Sequence, residues 1–152
     1  MPRFYRLVKA HYVASAFDGA GAKTYGGRWN SKGQPCVYLA SSIALCLLET
    51  LVHLADSDIL PSFTLLAIEI PEQHIMRLDS ALLPTDWQQD PAPESTKLIG
   101  DEWLSNQSSL LLEVPSTITG EFNALFNPSH PAAIQALSSI TPQQFTIDAR
   151  LI

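Results

Sequence analysis

Short apolar runs alternate along the chain with polar breaks rich in glycine or proline, and the length and composition of each run point to one kind of element. Residues 4–8 (Phe-Tyr-Arg-Leu-Val) read as a first strand and residues 36–40 (Cys-Val-Tyr-Leu-Ala) as a second. Directly after the second, Ser41 or Ser42 offers a hydroxyl to cap a helix running to about Ala55. Leu45, Leu48, Val52 and Ala55 recur on it at helical spacing, and Leu47 and Leu51 widen the stripe, so most of its circumference is expected to be buried. Residues 63–70 form a β-rich run closed by Pro71, with a short neighbour at 76–78. A helix at 95–105 and strands near 110–114, 122–126 and 144–148 complete a mixed α+β layout. Two stretches lack such a pattern. Residues 14–33 are rich in glycine and alanine, hold five of the seven glycines and read as a long loop, and residues 84–94 hold three prolines and read as an exposed connection.

Composition narrows the class. With 152 residues, 46% of them hydrophobic, the chain suits a single domain over 1–152 with a core that needs neither disulfides nor a structural metal. A formal net charge of -6 without a cluster of Lys and Arg argues against direct nucleic-acid binding. Cys36 and Cys46, both in apolar surroundings, point to a reducing compartment rather than a disulfide framework. The first residues lack the apolar run of a signal peptide, and no stretch approaches the roughly 18 apolar residues of a membrane span, so a soluble cytoplasmic protein is expected. Familiar motifs fail on inspection. Gly19-Ala20-Gly21-Ala22-Lys23-Thr24 lacks the last glycine of a dinucleotide fingerprint, Gly27-Arg28 stands where a P-loop needs Lys and Ser/Thr, and no GxSxG elbow is present. His11, His53, His74 and His130 are scattered without metal-ligand spacing, so no metal is expected.

Polar chemistry concentrates elsewhere. In Gly26-Gly27-Arg28-Trp29-Asn30 a permanent cation sits between backbone-permissive glycines and an aromatic ring, and its planar fork of donors fits phosphate or carboxylate oxygens. Tyr38 follows on a strand that leads straight into the helix carrying Glu49 and His53, four residues apart, with Cys46 and Ser42 on the same stripe. That face is either a lightly solvated edge or the wall of a cleft. As a cleft it suits a nucleotide: Arg28 on pyrophosphate, Tyr38 stacked on a ring, Glu49 on ribose hydroxyls.

At these residues the sequence resembles the RES-domain family, toxin components of bacterial toxin–antitoxin pairs named for characteristic Arg, Glu and Ser residues. Three ordered blocks carry the resemblance: YRLVKAHYVASAFDGAGAKTYGGRWNSKGQPCVYLASSIALCLLETLVH, then LLLEVPSTITGEFNALFNPSHP, then FTIDARLI. It implies an ADP-ribosyltransferase-like fold, a small bent mixed β-sheet core flanked by helices, that takes NAD as substrate with no cofactor beyond it. The implied activity is cleavage of NAD by hydrolysis or phosphorolysis, depleting cellular NAD and arresting growth. Modification of a protein by mono-ADP-ribosylation is the alternative, and a non-catalytic interaction domain is the reading from a different class. Carried over by position, Arg6 and Arg28 match two arginines near the NAD cleft, Tyr38 an aromatic, Glu49 the helical glutamate and Ser116 the serine. Asn127 and His130 match polar positions of an Asn-Pro-x-His-Pro block. Glu49, Arg28, Tyr38 and Ser116 are thus the implied catalytic set, and Arg6, Arg28, Tyr38, Ser116, Asn127 and His130 the implied NAD-binding set. The implied partner is a helix-turn-helix (Xre-like) antitoxin, and a homodimer within the toxin–antitoxin complex is compatible with it.

Each residue has a plainer reading as well. Arg6 would pair with Glu69 or Asp148 across a sheet, Tyr38 would be a core tyrosine with its hydroxyl satisfied, and Ser116 would cap a turn. His130 would organise a loop at a helix start, and Trp29 and Asn30 read as loop anchors.

Overall fold

Alternation along the strands sorts the apolar side chains onto two faces, and helices cover both. The computed structural model describes residues 1–54 and 62–152. Among these, the strands are β1 (Arg3–Lys9), β2 (Val37–Ala40), β3 (Phe63–Glu69), β4 (Ile75–Arg77), β5 (Leu111–Pro115), β6 (Phe122–Phe126) and β7 (Thr141–Phe145), and the α-helices are α1 (Ala20–Tyr25), α2 (Ile43–Leu51), α3 (Glu94–Asn106) and α4 (Ala133–Leu137). The strands form one mixed sheet in the order β4-β5-β6-β2-β1-β3-β7, in which β4 and β5 run parallel and every other neighbouring pair antiparallel. This is the α+β arrangement expected of the chain.

Phe4, Val8, Val37, Leu39, Leu66, Ile68, Leu111, Ala124 and Phe126 point to one face, where Ala133 and Ala136 of α4 and Phe17 complete a buried cluster. The opposite face carries two separate clusters. Leu112, Val114 and Leu125 pack under Trp103 and Leu104 of α3 together with Trp29 and Cys36, and Ala40 and Leu65 pack under Leu45 and Cys46 of α2. Between the two clusters the sheet itself divides. Strand β1 pairs with β3 along its whole length, from Arg3↔Glu69 to Lys9↔Phe63, whereas β1 and β2 register only at Tyr5↔Ala40. The same Ala40 pairs on its other side with Asn123 of β6.

Most elements fall where the hydrophobic pattern puts them, and Ser42 caps α2 by accepting a hydrogen bond from Leu45 N at 3.1 Å. The differences have local causes. Helix α2 ends at Leu51, with Leu48 and Val52 exposed, so less of its circumference is buried than the leucine content suggests; Ala55 lies outside the described residues. Strand β7 covers Thr141–Phe145 rather than 144–148, because a polar, Pro142-containing segment can serve as an edge strand that needs a partner on one side only. A 3-10 helix, Ala10–Ser15, leads into the expected long loop, and within it Ala20–Tyr25 becomes α1, bounded by Gly19 and Gly26 with φ of 74° and 73°.

Helix α3 accepts the loop through Gly100, where a β-carbon would overlap the Trp29 carbonyl. Gly100→Ala is therefore expected to cost about 1–3 kcal/mol through overpacking. At roughly 2–4 °C per kcal/mol for a chain of this size, calorimetry should show a lower Tm, and an unchanged Tm would rule out this close approach.

Candidate active site

The divided face places a carboxylate at its seam. Glu49 lies on α2, and its Oε1 accepts hydrogen bonds from Ser116 Oγ at 2.8 Å and from Asn123 Nδ2 at 2.8 Å. Ser116 follows β5 and begins the turn to β6, closed by Ser116 N donating to Glu121 O at 2.9 Å. Its hydroxyl accepts from Ile118 N at 3.0 Å and Thr119 N at 3.3 Å, which occupies both acceptor positions and directs its one proton to Glu49. No described residue donates to the other carboxylate oxygen, Oε2.

On the same face, two residues back along β2 from Ala40, stands Tyr38, about 7 Å away by strand rise. Its hydroxyl donates to Asn30 Oδ1 at 2.5 Å and accepts from Trp29 N at 3.0 Å. Asn30 is fully buried, and its Nδ2 donates to the carbonyls of Ala22, Ser31 and Gln34. The Gly27–Asn30 turn is pinned further by Thr96 Oγ1 donating to Arg28 O at 2.6 Å and by Ser31, whose N and Oγ donate to Asp101 at 2.8 and 2.5 Å. Held this way, the turn presents Arg28. Its Nη1 donates to Trp87 O at 2.9 Å and Gln89 O at 2.6 Å, leaving Nε and Nη2 without described acceptors. The proline-rich connection is thus a wall that clamps Arg28 rather than a detached surface loop, and Trp87 packs against the α3 cluster.

Arg6 occupies the place where β1 and β2 part. Nη1 donates to Tyr38 O at 3.1 Å, and buried Nε has no partner. Burial lowers the guanidinium pKa, opposed by Cys46, Cys36 and Asp18. Arg6 forms neither cross-sheet ion pair considered for it: Glu69 bonds Arg3, and Asp148 bonds Arg150.

Two residues of the expected site lie elsewhere. Asn127 is four residues beyond Asn123, about 13 Å along β6 and past its far end. Both ends of its amide serve the main chain, Nδ2 donating to Leu104 O at 3.1 Å and Oδ1 accepting from Ser129 N at 3.0 Å. His130 Nδ1 accepts from Ala132 N at 3.0 Å just ahead of α4, and its pKa is lowered by burial and by His74. The structure gives these two residues the loop-holding role and does not bring them to Glu49. Asn123 takes a place in the cluster that the pattern of the sequence does not announce, since an Asn inside a strand carries no motif. His53 lies exposed beyond the end of α2.

The family model described as "RES domain" matches residues 3–148. The chain belongs to the RES-domain family. It is 51% identical over 148 residues to a protein named "Toxin Res" from Yersinia enterocolitica, covering 97% of each chain. It is 39% identical over 145 residues to "Prs ADP-ribosylating toxin" of Sphingobium sp., covering 93% of this chain and 89% of that one. Among solved structures, the crystal structure of the M. tuberculosis MbcT-MbcA toxin-antitoxin complex superposes with a TM-score of 0.71 at 20% identity, covering 95% of this chain and 84% of that one, a likeness of fold. This RES-domain protein thus shares its family with relatives named as toxins and its fold with the solved MbcT-MbcA structure. No helix among its described residues is long and apolar enough to cross a membrane.

Buried acids beneath the site give the RES-domain protein an alkaline limit. Burial raises the Cys46 thiol from 9.0 to about 11 and pushes the Cys36 thiol and the Tyr38 hydroxyl up as well. Folded pKa values above unfolded ones mean that the unfolded chain loses these protons first. Stability from Cys46 is then complete below pH 9.0 and lost as pH rises to about 11. Tm measured from pH 8 to 11 is expected to fall above 9, less steeply in Cys46→Ala; identical slopes for the two proteins would refute the assignment.

Proposed function

We propose that this RES-family protein is the toxin of a toxin–antitoxin pair and acts by cleaving the nicotinamide–ribose bond of NAD. The observation that carries the reading is the Glu49 carboxylate, fixed at Oε1 by Ser116 and Asn123 and open at Oε2, on the same sheet face as the Arg28 turn. In NAD the nicotinamide is already cationic, so the bond breaks to give neutral nicotinamide and an oxocarbenium-like ribose, and little acid catalysis is required. The protein has to orient the sugar and stabilise positive charge as it develops. A carboxylate does both, by accepting from a ribose hydroxyl and by its charge. Arg28, with its remaining donors, is suited to pyrophosphate, and the buried, unpaired Nε of half-buried Arg6 offers a second donor. Tyr38 shapes the cleft through its hold on the Arg28 turn, and Ser116 acts through Glu49.

The acceptor of the ADP-ribosyl group is water or phosphate in this reading. Transfer to a protein side chain is the second reading, favoured by the name of the Sphingobium relative. NAD labelled on its adenylate side separates them: label appears in free ADP-ribose or its phosphate in the first case and on protein in the second. The MbcT-MbcA complex supports an antitoxin partner. Its proposed type is a helix-turn-helix protein that obstructs the cleft and supplies any DNA contact, since this chain carries a net charge of -6.

Purified protein is expected to release nicotinamide from NAD. Glu49→Gln, which keeps the shape but removes the charge, should lower turnover by about 10²-fold, the scale of losing one electrostatic stabiliser. Arg28→Lys should raise KM more than it lowers kcat, because it loses the planar fork. Near-normal single-turnover cleavage by Glu49→Gln would require another residue to carry the catalytic charge.

A further inference from the structure

Asn123 is an odd residue for its place. It sits inside β6, opposite Ala40 on one side and Val114 on the other, both buried apolar residues. Its Nδ2 is spent on Glu49 Oε1, while its Oδ1 is buried with no partner. Buried polar atoms are nearly always paired, because leaving one unpaired forfeits its hydration without return. An apolar side chain of similar shape would fill the same space with no unmet acceptor. Folding alone therefore gives no reason for an amide here, and the one contact that distinguishes it from leucine is the bond to Glu49.

We propose that Asn123 is a positioning residue for Glu49: together with Ser116 it locks Oε1, fixing the plane of the carboxylate so that Oε2 is the oxygen that meets the substrate. The two donors arrive from different elements, Ser116 from the β5–β6 turn and Asn123 from β6 itself. One donor alone leaves the carboxylate free to swing about that bond, and two restrict it. The bonds run between an amide and a hydroxyl on one side and a carboxylate on the other, a charge-assisted kind that is short and directional. Such support of a reacting group by a residue that does not itself touch substrate governs how well the group is aimed.

The inference rests on the NAD reading for its kinetic arm, so a second readout stands beside it. Asn123→Leu and Asn123→Ala are made in the natural chain and in Glu49→Gln, and Tm, NAD cleavage and growth arrest on induction are measured. Asn123→Leu is expected to keep its Tm, since the unmet acceptor is gone, yet to lose at least tenfold in kcat with KM within about twofold. In the Glu49→Gln background the same change should cost little further turnover. Asn123→Ala guards against a leucine that does not fit, and should show the same split of kcat from KM. If the natural protein leaves NAD intact, the NAD reading falls and growth arrest decides the positioning, with Asn123→Leu and Asn123→Ala expected to relieve it while the proteins stay folded. Undiminished kcat, undiminished arrest by folded variants, or a full multiplicative loss on top of Glu49→Gln would overturn the assignment.

Discussion

The hydroxyl of Ser116 has one proton and two acceptor positions, and the backbone uses both acceptor positions. Ile118 N and Thr119 N point into the oxygen, so the proton has one direction left, toward Glu49. This one donated bond joins helix α2 to the turn between β5 and β6, elements far apart in sequence. A carboxylate on the sheet side of a leucine-rich helix is costly to desolvate unless donors meet it. Ser116 meets it, which lets α2 lie against β1 and β2 with Leu45 and Cys46 buried beneath. The seating of the helix and the aim of its carboxylate are thus one constraint.

A comparable economy governs Arg28. Its side chain is anchored by main-chain carbonyls rather than by a carboxylate, so none of its positive charge is neutralised. The turn that carries it is fixed from below by the Tyr38 hydroxyl and the Asn30 amide and from the side by Thr96 and Asp101. Gly27 is required at that point, because a β-carbon would strike the Tyr38 hydroxyl. The result is a fixed cation and a fixed anion on one face of the sheet. Fixed charges of opposite sign cost no reorganisation when a ligand with its own charge separation arrives, and that saving is the physical basis of electrostatic preorganisation.

What was legible in the sequence follows from what each signal measures. Strand β6 is apolar at four of its five positions and helix α3 repeats apolar pairs at Leu98-Ile99 and Trp103-Leu104, and their positions were readable to within a residue or so. Strand β7 was not, because Thr141-Pro142-Gln143-Gln144 is held by its pairing with β3 and carries no apolar signal of its own. Helix α1 was hidden by glycine and alanine in a stretch whose order comes from the Asn30 and Tyr38 contacts. In the site, Glu49 and Ser116 stand out in the sequence one by one, but the bond that joins them is visible only in the structure. Asn127 and His130, equally prominent in the sequence, turn out to hold a loop, since a motif records that residues matter without recording whether they serve a ligand or the backbone. Asn123 shows the converse: its significance lies in one contact across the sheet and one missing partner, neither of which any linear pattern contains.

The division of the sheet gives these separate fixtures a common origin. Helices α2 and α3 cover different halves of one face, and β1 and β2, where the halves meet, register only at Tyr5↔Ala40. Beyond that pair the β1–β2 ladder stops, and the Tyr38 carbonyl takes its hydrogen bond from the Arg6 guanidinium. A side chain in place of a ladder keeps the strands apart while satisfying the backbone, which an open gap would not do. The row Tyr5, Ala40, Asn123 then marks the last point at which the two halves are rigidly joined. Glu49 is clamped at the end of that row by Asn123, where both halves of the sheet fix its position. A carboxylate placed farther along either half would be positioned by one half alone, and its orientation to groups on the other would follow every relative movement of the two.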